Sequence, residues 1–273
     1  MIAEQMQVVP IQAHRPARRG DAAARPLLAP SGARVVLGGL DASALAAPAQ
    51  PAADTLFGPR GAALAGPQGP LFVCDTGNRR VLVWHTLPQR NGAPADLVLG
   101  QRDFTTRDAG GGDDIDAAGM RWPHAAALDG GRLFVSDAGT SRIMVWHHLP
   151  ETDGAPCDAV IGQADFAGAD NNRGAYDPTA GSLHMPYGVA ATAGHLFVAD
   201  TANSRLLGYD LAGLDSGMAA DRLVGQHDFH GKGENRWERP GRGTLCWPFG
   251  ISLAGDTAVV ADSNDRLLLW ELE

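Results

Sequence analysis

An all-β fold made of four copies of one antiparallel sheet is predicted by three observations. One phrase recurs: LFVCDTGNRRVLVW at 71–84, LFVSDAGTSRIMVW at 133–146, LFVADTANSRLLGY at 196–209 and AVVADSNDRLLLW at 258–270. The aspartates in it, Asp75, Asp137, Asp200 and Asp262, stand 62, 63 and 62 residues apart. The apolar runs are short, bounded by Gly, Pro, Asn and Asp, and lack a 3.6-residue period, which excludes a helical solenoid. A fixed long period settles architecture before any local reading. Blades of four antiparallel strands repeated around an axis make a β-propeller.

Each repeat supplies four strand-like pieces. The first follows a proline and is small-residue rich: GAALAG at 61–66, AAALDG at 125–130, GVAATAG at 188–194 and GISLAG at 250–255. Such residues suit a strand crowded near the axis. The second is the LFV-x-D run, and the third is RVLVW, RIMVW, RLLGY or RLLLW. Between them DTGN, DAGT, DTAN and DSND predict tight hairpins, in which Asp, Gly and Asn supply positive φ and side-chain bonds to the backbone. The fourth is DLVLGQRDF at 96–104, DAVIGQADF at 158–166 and RLVGQHDF at 222–229. No fourth piece follows Trp270. VVLGGLDA at 35–42 aligns with it, because Asp41, Asp103, Asp165 and Asp228 keep the same spacing. The expectation is four blades in a ring closed by the N-terminal strand pairing with the C-terminal blade, which removes open sheet edges. Residues 1–32, rich in Ala, Pro and Arg, read as a flexible arm, and 33–273 as the propeller.

Composition narrows the function classes. The 273 residues carry a net charge of −9, yet residues 1–35 hold five arginines against Glu4 and Asp21. An arm of +3 leaves −12 on the body, and an acidic body repels phosphate backbones, so nucleic acid is not the expected partner. Cys74, Cys157 and Cys246 are odd in number and far apart, which excludes a disulfide framework and a CxxC site. The N-terminus lacks the apolar core of a signal peptide, and no apolar run is long enough to span a membrane. A cytoplasmic monomer is the expectation. No GxSxG, Walker loop or HExxH occurs.

The combination of Pro-x-Gly, LFVADTxNxR and an apolar strand ending in Trp or Tyr resembles the NHL repeat. The GQxDF element is similar to that of a bacterial branch of those proteins. The resemblance covers about residues 34–273. It implies a propeller and says little about activity, since function must be argued from a site. Related propellers often have six blades, whereas four are counted here. Some are metal-dependent lyases or hydrolases with channel-facing His, Asp, Glu or Asn ligands, and only His124 matches such a position.

Residues that recur in every blade read as scaffold: the repeated Asp, the Arg after the hairpin, Gln101, Gln163 and Gln226, and the aromatics Trp84, Trp146, Tyr209 and Trp270. Function is expected where the repeats differ. The loops 105–122, 167–185 and 230–247 are long and divergent and should gather on one face. The residue after each opening proline, Arg60, His124, Tyr187 or Phe249, should ring the channel mouth and either plug it or grip an anionic or carbonyl-bearing ligand. Trp122 and Trp247 precede two of those prolines and suit a partner anchor or a wedge between blades. For a divalent metal the candidates are His124, with His184 near it, and the acidic cluster Asp113, Asp114 and Asp116, which is not spaced as an EF-hand. His85, His147 and His148 read as rim residues. No cofactor is predicted. The expected function is a non-catalytic interaction propeller binding a protein partner or small ligand on its loop-rich face. The alternative is a metal-assisted lyase or hydrolase centred on His124, with Tyr187 as acid and Arg60 as anion clamp.

Overall fold

The computed structural model describes residues 32–38, 50–108 and 115–272, and the fold lies within the compact unit 35–273. The described residues form fifteen strands and no α-helix. The first sheet is β1 (Gly61–Leu64), β2 (Leu71–Asp75), β3 (Arg80–Trp84) and β4 (Leu97–Leu99). The second is β5 (Pro123–Asp129), β6 (Arg132–Asp137), β7 (Arg142–Trp146) and β8 (Ala159–Ile161). The third is β9 (Pro186–Thr192), β10 (His195–Asp200), β11 (Arg205–Asp210) and β12 (Arg222–Val224). The fourth is β13 (Gly250–Ala254), β14 (Thr257–Asp262) and β15 (Arg266–Glu271). Each is an antiparallel meander in sequence order, and the first strands β1, β5, β9 and β13 neighbour one another in turn.

The architecture is therefore propeller-like, with a departure at the fourth sheet. It has three strands among the described residues instead of the expected four. Of the segment expected to complete it, residues 35–38 are described and 39–42 are not, so closure of the ring is not shown. Val36 does occupy an outer-strand position. It donates to Asn91 Oδ1 at 2.8 Å and accepts from Gly92 N–H at 2.9 Å. Val98 makes the same pair of bonds with Asp153 and Gly154, and Val160 with Ser216 and Gly217.

The strands are apolar on both faces because each inner sheet is covered on both sides. Phe72, Val81, Val83 and Leu99 of the first sheet meet Leu133, Val135, Met144 and Trp146 of the second. Phe134, Ile143 and Val145 meet Leu183, Val198, Leu207 and Tyr209 of the third. Full burial of each such side chain contributes roughly 1.5–3 kcal/mol. Sheets are also latched by hydroxyls: Thr76 and Thr201 donate to the carbonyls of Pro123 and Pro248 at 2.7 Å, and Ser136 to that of Pro186. Small residues on the inner strands do allow close approach. A Cβ on Gly188 would lie 2.8 Å from the Phe249 carbonyl oxygen.

The hairpins differ from the sequence expectation. In the first three sheets the link between second and third strands is one turn of 3-10 helix, and the positive φ falls on the residue after it: Arg79, Ser141 or Ser204. The turn glycine has another task. A Cβ on Gly77 would collide with the ring and carbonyl oxygen of Phe57, where the preceding loop crosses the turn. The fourth sheet's turn is one residue shorter, and Asp265 takes the positive φ.

The repeated Asp and Arg form the interior tie of each blade. Asp75 accepts Phe57 N–H at 2.6 Å, Asn78 Nδ2 at 2.7 Å and Arg80 Nε at 2.9 Å. Arg80 then donates to the carbonyls of Phe104, Ala52 and Thr55. Arg205 repeats this with Asp200, Phe229, Thr179 and Ser182, and its pair with Asp200 is fully buried. In the second sheet Thr140 replaces the asparagine on Asp137, and Arg142 Nε is left without a partner. Arg205→Met should lower unfolding free energy by about 3–5 kcal/mol in urea titration, because Asp200 and three loop carbonyls lose their donor in a dry site. Gly77→Ala should also destabilise, through the Phe57 collision, while Gly92→Ala meets no atom and costs only the strain of its positive φ.

Candidate functional site

The site begins at the roots of the long loops. The repeated glutamines hold them: Gln101 Nε2 donates to the carbonyls of Arg79 and Asp108, and Gln163 to those of Thr140, Ser141 and Asp170. Gln226 does the same with Asn203, Ser204 and Gly233. Each glutamine joins the turn of its blade to the loop that leaves it. The interior arginines grip the same loops further along, so each loop is pinned at several points.

Two of the loops are less divergent than their sequences suggest. Asn172-Arg173 and Asn235-Arg236 adopt the same left-handed pair of conformations. In both, the asparagine N–H donates to a buried leucine carbonyl, of Leu183 or Leu245. The arginine Nε donates to the carbonyl of Gly162 or Gly225. The shared Asn-Arg dipeptide was the available signal.

The four residues predicted to meet at the mouth largely do so. His124 and Tyr187 stack with ring centroids 4.1 Å apart and planes at 18°. Tyr187 and Phe249 continue the stack at 5.1 Å and 24°. The strand starts that carry them adjoin, so the rings form a staircase across three sheets. Arg60, at the start of β1, is exposed and near enough for its charge to act on His124. Burial first, and the Arg60 charge second, hold the His124 pKa below its ordinary 6.5. His184 is not part of this stack: its backbone N–H is held by Asp200, and burial lowers its pKa too.

Trp122 and Trp247 are 51% and 42% exposed, so neither is fully buried as a wedge between blades. Sequence reasoning missed Tyr176 and Trp237, which are 84% and 80% exposed on the second and third loops. It also missed how those loops are joined. Lys232 Nζ sits 3.1 Å from the Tyr176 ring centroid, donates to the Tyr176 carbonyl and pairs with Asp177 at 3.3 Å. His230 meets the Pro178 carbonyl at 3.1 Å. Lys232 is the only lysine of the chain, a signal visible in the sequence. Phe57, on the first loop, lies under the Arg107 guanidinium at 5.5 Å.

The metal candidates do not assemble. Among the described residues no group of three His, Cys, Asp or Glu side chains is placed to hold an ion. Asp116 turns its carboxylate onto its own loop, accepting Ala118 and Gly119 N–H at 2.8 and 2.7 Å. Asp113 and Asp114 lie outside the described residues. His85, His147 and His148 are exposed on the rim. Burial pushes the Cys74 thiol up to about 12 and that of Cys157 to about 11, so both pack as thiols. Among the described residues no helix is long and apolar enough to cross a membrane.

A proton NMR titration should place the His124 midpoint below 6.5, and Arg60→Gln should raise it. The depressed folded value means the unfolded chain binds the proton more readily. Stability should therefore be level above pH 6.5 and fall as pH drops below it, with His124→Gln flattening that slope.

No protein-family model matches the chain, and no curated protein matches it. Solved structures do. The computationally designed Ika4 protein is 10% identical with a TM-score of 0.39, over 89% of this chain and 99% of that one. Glutaminyl cyclase of Myxococcus xanthus is 14% identical with a TM-score of 0.44, over 82% of this chain and 68% of that one. U3-55K is 15% identical with a TM-score of 0.43, over 78% of this chain and 49% of that one.

Proposed function

We propose that the chain is an NHL-like β-propeller of the cytoplasm that recognises a protein partner or small ligand on its loop-rich face, without catalysing a reaction. One observation carries this reading. Every large aromatic side chain exposed among the described residues, Phe57, Trp122, Tyr176, Trp237, Trp247 and Phe249, lies on the loops or strand starts of that face. Exposed Trp and Tyr held on a rigid base lose little freedom on binding, which is why they dominate the energetics of recognition surfaces. Here the base is rigid because glutamine, arginine and Lys232 bonds pin the loops. The stacked His124, Tyr187 and Phe249 form an apolar floor beside Arg60, suited to an aromatic or anionic group of the bound species.

Ring closure by residues 35–42 belongs to this reading, supported by Val36 standing on the first sheet as Val98 and Val160 stand on the next two. The alternative, a metal-assisted lyase or hydrolase at His124, has no donor set among the described residues to favour it.

A photoreactive amino acid at position 237 tests the face, with one at rim position 85 as control. Crosslinks to a discrete species from 237 and not from 85, weakened several-fold by Trp122→Ala with Trp247→Ala and unchanged melting, are the expected result. Equal crosslinking from both positions would sink the reading. Near-stoichiometric metal in the purified protein that falls in His124→Ala would move the assignment to the enzyme.

A further inference from the structure

The joint between the third and fourth sheets lacks a part that the earlier joints contain. In the first two sheets a turn between third and fourth strands caps the outer strand of the sheet before. It is Asn91-Gly92 on Val36 and Asp153-Gly154 on Val98. The third sheet does likewise, with Ser216-Gly217 on Val160. The side-chain oxygen accepts the strand's N–H, and the glycine N–H donates to the same residue's carbonyl. The following alanine carbonyl accepts the strand-end indole: Trp84 Nε1 to Ala93 at 3.1 Å, Trp146 Nε1 to Ala155 at 3.2 Å. An aspartate closes the segment, Asp96 on His85 N–H and Asp158 on His147 N–H. Apolar residues of these segments fill the joint, Ala155 and Cys157 in one, Leu214, Met218 and Ala220 in the next.

At the third joint the receiving groups are present without the segment. Leu223 corresponds to Val98 and Val160, opposite Leu207 as they are opposite Leu82 and Met144. Its outward N–H and C=O find no cap among the described residues. Neither does the indole N–H of Trp270. Between them lies a cavity of about 610 Å³ lined by Leu223, Val224, Phe197, Ile251, Ala258 and Trp270. Leu267 and Leu269 beside it are 65% and 68% exposed, where their counterparts Val81 and Val83 are buried.

We infer that this groove is a peptide-binding site for an extended segment of a partner polypeptide. The segment would carry (Asn/Asp/Ser)-Gly-x-(Pro/Ala)-small-Asp. The chemistry is read from the three segments the chain itself places at the equivalent positions: NGAPAD at 91–96, DGAPCD at 153–158 and SGMAAD at 216–221. The first residue caps Leu223 N–H, the glycine caps Leu223 C=O, the third carbonyl accepts from Trp270, and the small and apolar side chains fill the cavity. The aspartate accepts from Glu271 N–H. Glycine is required because the turn glycines have positive φ, 59° at Gly92 and 62° at Gly154. None of these groups belongs to the aromatic loop face, so the site stands or falls separately from it.

The probe is a fluorescein-labelled peptide LPQRNGAPAD, the sequence of residues 87–96, titrated with the full chain by anisotropy. Saturable binding is expected, weakened about tenfold by Trp270→Phe in the protein, by Asn91→Val in the peptide and by Gly92→Val in the peptide, each removing one cap or its geometry. Absence of saturable binding up to millimolar protein overturns the inference. So does equal binding of the native and Gly92→Val peptides, a comparison that uses unaltered protein and stands even if Trp270→Phe misfolds.

Discussion

The buried aspartate–arginine tie is the interaction on which the rest of the molecule depends. Arg80 and Arg205 are wholly buried, and each bridges a hairpin carboxylate to carbonyls of the loop before and the loop after its blade. The charge pair by itself adds little net stability, since desolvation offsets the attraction. Its importance is geometric. Five donors in a rigid fork satisfy carbonyls that have no strand partner. Without it, long irregular loops could not run close to the core.

That tie explains why structure and recognition are separable here. The repeated Arg and Gln fix where each loop leaves and returns, and the residues between are free to vary. The exposed aromatics are carried on backbone held at several points, and Lys232 adds a bridge from one loop to the next. Beneath them the inner strands adjoin closely enough, through Gly61 and Gly188, for His124, Tyr187 and Phe249 to stack.

The fourth sheet shows what the repeat contributes by its loss. Leu267 and Leu269 repeat Val81 and Val83 in sequence and differ from them only in what lies opposite. Trp270 repeats Trp84 and Trp146, yet it borders a cavity where they are buried among neighbours. The same residues are core or surface according to whether the next segment is there.

The sequence by itself determined the sheets, their order and their scaffold residues. Each blade is built from contacts close along the chain, so the period of the aspartates and the Asp–Arg, Gln and Trp positions were all legible. The four residues of the channel mouth were legible too, because a position fixed in the repeat is fixed in space. The tertiary structure alone decided the rest. Tyr176 and Trp237 sit at no repeated position, and their exposure follows from left-handed Asn-Arg corners that no propensity forecasts. The hairpin's positive φ moved to the residue after the expected one, because the preceding loop crosses the turn and needs Gly77 for clearance. Lys232 meets Tyr176 only because two loops 56 residues apart are brought side by side. The groove at Trp270 is a property of a joint between sheets, and a joint is specified by both of its halves.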